Sequence, residues 1–66
     1  MMEKNQQIVI DYLINTGNDF LSDIVELEGT YESIPTIVSI AFEALTEKEK
    51  IEVIKESASY LLKNMK

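Results

Sequence analysis

Residues 34–45 read Ile-Pro-Thr-Ile-Val-Ser-Ile-Ala-Phe-Glu-Ala-Leu and hold a single charge, Glu43. On a helix, Ile34, Ile37, Val38, Ile40, Ala41, Phe42, Ala44 and Leu45 spread over an arc of roughly 200°. A helix that packs on one side against a core needs an arc nearer ~100°. The surplus must be hidden by other elements, and a chain of 66 residues has few of them. This stretch therefore predicts either a central helix wrapped by its neighbours or a surface that meets a second chain.

Size sharpens the problem. Sixty-six residues make one domain, spanning 1–66, and a domain this small hides only about 60% of its unfolded surface. Small folds compensate with disulfides, a metal or oligomerisation. The chain has no Cys and no His, which removes disulfides, thiolate sites and the commonest zinc ligand and general base. Oligomerisation is the remedy left, and a homodimer built mainly on the third helix, with help from the fourth, is the expected form because two-fold closure is the commonest solution.

The remaining segments have helical patterning. In 3–15, Val9 and Leu13, with Ile10 and Ile14, recur at helical spacing, while Gln7 and Asp11 lie opposite. Gly17 is a candidate stop, and Asn18 a candidate cap for a second helix over 18–28. There Phe20, Leu21, Ile24, Val25 and Leu27 face one way, and Asp19, Asp23 and Glu26 the other. Residues 29–32 form a short connection, and Ser33 can cap a third helix over 34–45 with Pro35 in its first turn.

Thr46-Glu47-Lys48-Glu49 has the form of a capping box and opens a fourth helix over 47–65. Ile51, Ile54, Ala58, Leu61, Leu62 and Met65 give that helix one seam within ~100°. The predicted fold is an all-α, four-helix bundle-like domain that forms a dimer.

Net charge is −6 and unevenly placed: residues 1–45 hold eight acids and one lysine, residues 46–66 four acids and five lysines. Arginine is absent, so direct nucleic-acid binding is disfavoured. No apolar run reaches the roughly 18 residues of a membrane span, and the first residues lack a basic signal-peptide region. A cytoplasmic protein is the expectation.

Two surfaces stand out as candidate sites. The first is apolar: Ile37, Ile40, Ala41 and Ala44 on the third helix, with Val53 and Tyr60 as a minor patch on the fourth. The second is acidic: Asp19, Asp23, Glu26, Glu28 and Glu32. Neither suggests catalysis, since there is no EF-hand spacing, no Glu-x-x-His pair and no nucleophile beside a base.

No catalytic residue, cofactor or metal site is predicted. The expected role is that of a small regulator or inhibitor that is not an enzyme, docks a partner protein through apolar helix surface and self-associates. Its acids would steer it toward a basic partner. Two other readings compete. One is an acidic imitation of nucleic acid that blocks a DNA- or RNA-binding protein. The other is a DNA-binding dimer using Lys48, Lys50, Lys55 and Lys63, although Glu47, Glu49, Glu52 and Glu56 interleave with those lysines and cancel much of their field.

Overall fold

A computed structural model describes residues 3–16, 19–29 and 34–65. Four α-helices make up the regular structure among them: α1 (Lys4–Asn15), α2 (Phe20–Gly29), α3 (Thr36–Glu43) and α4 (Glu47–Lys63). The all-α fold and the order of its helices agree with the sequence reading. Several boundaries differ, each for a local reason.

α2 begins after Asp19, whose carboxylate accepts from the backbone N–H of Ser22 at 3.3 Å and from its hydroxyl at 2.9 Å. That satisfies one of the orphan donors of the first turn. The predicted cap Asn18, the stop Gly17 and the cap Ser33 lie outside the described residues. α3 begins later than predicted because Pro35 sits before the first turn, extended at φ −54° and ψ 138°. Its carbonyl accepts from Val38 and Ser39 at 3.0 and 3.1 Å. Proline also disfavours helical dihedrals at Ile34, so the helix is shorter at that end than its apolar pattern.

The capping box of α4 is present as read. Thr46 Oγ1 accepts from Glu49 N at 3.2 Å, and the Glu49 carboxylate accepts from Thr46 N at 2.8 Å. At the other end Asn64 Nδ2 donates to the Tyr60 carbonyl at 2.8 Å, closing the helix two residues before its predicted end.

α1, not α3, is the helix around which the others gather. It packs against α4 and α3, and more lightly against α2. Val9, Ile10 and Leu13 of α1 join Leu27 of α2, Val38, Ala41 and Phe42 of α3, Val53 of α4, and the flanking Ile34 and Leu45 in one buried cluster. α1 succeeds in this place because it is apolar on one broad side and uncharged along most of its length.

α1 and α4 run in the same direction. Gln6 Nε2, near the start of α1, donates to the Glu49 carbonyl at 3.2 Å and to Glu52 Oε1 at 3.0 Å, near the start of α4. Further along, Ile10 and Ile14 line one groove with Glu56 and Tyr60. Gln6 is buried, yet its amide is fully used: its Oε1 also accepts from Glu3 N at 2.9 Å. A buried amide needs such partners to offset its desolvation.

The two helix starts also bring Glu3 close to Glu49. The hydrogen bond that a protonated Glu3 carboxyl donates to Glu49, followed by the charge of Glu49, raises the Glu3 carboxyl above its ordinary value. The Glu49 carboxyl is lowered, first by its bond to the Thr46 backbone.

Candidate interaction surface

The predicted contact residues divide between inside and outside. Ile37 and Ile40 are 65% and 61% exposed, and Ala44 is exposed beside them. They follow at spacings of three and four residues, so they make one row on α3 next to its buried side. Ala41 is different. It is 2% exposed and belongs to the core cluster, so as a surface contact it is corrected. It lies about 60° from Val38 around α3, on the same buried side.

The minor patch on α4 is corrected in the same way. Val53 is fully buried and Ser57, one turn on, is buried with it. These two, and not the predicted seam, are the buried residues of α4. Ser57 is buried with its Oγ left without a hydrogen-bond partner. Tyr60 is half exposed on the rim of an open groove of about 410 Å³ that it shares with Gln7, Ile10, Ile14 and Glu56.

The seam predicted for α4 is therefore turned about 100° from its actual packing line. Ile54, Ala58 and Leu61 are half-buried, while Ile51, Leu62 and Met65 are exposed, the last two at 70% and 68%. Length explains part of this. With Gln6 beside Glu49 and Glu52, the last residue of α1 reaches only to about residue 60 of α4 at equal rise per residue. Leu62 and Met65 lie beyond that. Nothing in the sequence of α4 alone distinguishes a seam that faces its own core from one that faces outward.

α2 presents a second exposed apolar strip. Leu21 and Val25 are exposed and line an open groove of about 380 Å³ with Ser22 and Glu26. Its acids also sort by direction. Asp19, Glu26 and Glu28 remain at least partly accessible, but Asp23 is 2% exposed and accepts from the Thr16 hydroxyl at 2.8 Å. Asp23 is thus a tie between α2 and the end of α1, and its place on an acidic surface is corrected. Glu32 lies outside the described residues. Burial, followed by the charges of Asp23 and Glu26, pushes the Tyr12 phenol above its ordinary value.

On the fourth helix Lys50 is half-buried, with its ammonium 4.7 Å from the centre of the Phe42 ring. That contact links α4 to α3 across the short turn and takes Lys50 out of any free basic strip. Among the described residues, no three His, Cys, Asp or Glu side chains are grouped to hold a metal ion, and no helix is long and apolar enough to cross a membrane. No family model, curated protein or solved structure matches the chain.

Proposed function

We propose that this protein is a small acidic interaction module, not an enzyme, that self-associates through α4 and regulates or inhibits a partner protein docked on α3. The single observation behind this reading is the outward set of the α4 seam. Ile51, Leu62 and Met65 are exposed, and the half-buried Ile54 and Leu61 extend the strip. The α3 row of Ile37, Ile40 and Ala44 is smaller and leaves a second apolar surface for a partner.

Magnitudes favour a dimer of moderate strength. Fully burying a large aliphatic side chain is worth about 1.5–3 kcal/mol, so covering what Ile51, Leu62 and Met65 still expose contributes about 1–2 kcal/mol each. A two-fold arrangement counts each residue twice, giving roughly 6–12 kcal/mol against an association cost of about 4–15 kcal/mol. A reversible assembly fits these sums better than a permanent one. The exposed acids Asp19 and Glu28, with the net charge of −6, would steer the module toward a basic partner.

Imitation of nucleic acid is less well supported, because Asp23 is directed inward and Asp19 is engaged in capping α2. Direct DNA binding loses Lys50 to Phe42.

Size-exclusion chromatography with light scattering tests the proposal. Wild-type protein is expected at the mass of two chains at high concentration, and Ile51→Ser with Leu62→Ser at the mass of one, with unchanged helical circular dichroism. A wild-type mass of one chain throughout would refute self-association.

A further inference from the structure

The outer side of α2 joins an apolar strip to carboxylates and carries no cation of its own. Leu21 and Val25, 69% and 62% exposed, stand one turn apart and line an open groove with Ser22 and Glu26. Glu28 is exposed on the other edge and falls with the two apolar residues inside ~60° of the helix. The strip thus has a carboxylate on each side. No lysine or arginine occurs between Lys4 and Lys48. The Tyr12 phenol of α1 lies within reach of this field, since after burial the charges of Asp23 and Glu26 raise it. α4 offers no such definite sign, because its exposed Lys48 and Lys55 stand among Glu47, Glu52 and Glu56.

That combination selects the occupant. An amphipathic helix with aliphatic residues every three or four positions can lay them along Leu21 and Val25. If lysine or arginine flanks those residues, it meets Glu26 and Glu28 at the edges. A neutral or acidic helix would cover the same apolar area and leave the carboxylates facing no counter-charge. A second copy of this chain is a poor occupant. Its residues 1–45 hold eight acids and one lysine, and the lysines of α4 alternate with glutamates, so it has no helix with basic edges.

We propose that the outer side of α2 docks a basic amphipathic helix of a partner protein. Leu21 and Val25 receive its aliphatic residues, while Glu28 and Glu26 face its lysines or arginines. This surface is separate from the α3 row and does not depend on self-association. It also gives α2, whose buried residues are Asp23 and Leu27 alone, a packing partner on its outer side.

Fluorescence anisotropy at low salt tests the docking, with the full chain titrated into a labelled synthetic helix. The probe carries leucines one turn apart, flanked by lysines. Wild type is expected to bind it. Val25→Ser and Glu28→Lys should each weaken binding about five- to tenfold, and so should replacing the probe's leucines with alanine. Glu56→Lys makes the same change in net charge as Glu28→Lys but sits elsewhere. Glu56 shares a groove with Ile10 and Ile14, and Ile14 lies ~160° around α1 from Tyr12. That variant should stay within about twofold of wild type. Amide hydrogen exchange in 20–29 should slow when the probe binds.

Circular dichroism checks that the variants remain helical. Failure of wild type to bind the probe overturns the proposal. Equal weakening by Glu28→Lys and Glu56→Lys overturns it too, because the attraction would then be one of net charge alone. Protection that appears outside α2 and leaves 20–29 unchanged places the probe elsewhere and has the same consequence.

Discussion

α1 and α4 carry comparable apolar stripes and meet opposite fates. Val9, Ile10 and Leu13 of α1 are all buried, whereas the stripe of α4 runs from the half-buried Ile54 to the exposed Leu62. α1 is contacted by all three other helices and α4 chiefly by α1. A chain with one central position can satisfy one stripe completely. The second helix turns Val53 and Ser57 inward, and its own stripe is left half-buried or exposed. An apolar seam is thus a demand for burial that does not specify the molecule that meets it.

Core truncation should separate the helices most sharply. Leu13→Ala should cost about 2–5 kcal/mol through lost burial and the cavity left behind. Leu62→Ala, measured where the chain is single, should stay within about 0.5 kcal/mol of wild type. Urea denaturation of both variants at low protein concentration makes the comparison, and equal costs would place the α4 stripe in the core after all.

The junction between the two helices comes next. Gln6→Ala removes the bonds to the Glu49 carbonyl, Glu52 and Glu3 N, and an expected loss of about 1–3 kcal/mol follows from leaving buried groups unpaired. Thr46→Ala should cost about 1 kcal/mol by opening the capping box. Ser57→Ala should change stability little or raise it by up to about 1 kcal/mol, because the lost hydroxyl has no partner to forfeit. A large loss there would mean that the buried Ser57 hydroxyl contributes to the fold after all. Thermal melting of the three variants ranks them directly.

The smallest effect concerns the paired helix starts. The lowered Glu49 carboxyl contributes stability that is present above its unfolded value, near 4.5, and fades as pH falls through the folded one. The raised Glu3 carboxyl works in the other direction: its contribution is present below the unfolded value and is lost as pH rises through the folded one. Near neutrality Glu3 therefore opposes what Glu49 supplies. Glu3→Gln should raise the melting temperature slightly at pH 7 and have less effect at pH 3, as melts across that range will show.

The helices were legible where local chemistry decides them. Thr46 and Glu49 announce α4, and Val9 with Leu13 and Ile10 give the inner side of α1. The exposed row of Ile37, Ile40 and Ala44 was also readable, because α3 carries more apolar surface than one contact can cover. Orientation was not readable. Ala41 and Val53 are buried because of how α3 and α4 rotate on α1, and rotation depends on contacts between residues distant in sequence. Asp23 looked like one more solvated acid on an amphipathic helix. Its burial depends on a hydroxyl seven residues earlier, at Thr16, which helical periodicity does not register.

Sedimentation equilibrium of the wild-type chain, from low to high micromolar concentration with Leu62→Ser alongside, tests the central claim most directly. The outward seam of α4 predicts a reversible shift to twice the chain mass for wild type and a single mass for the variant. Wild type that stays at one mass across the series would contradict it, and so would a Leu62→Ser variant that assembles as readily as wild type.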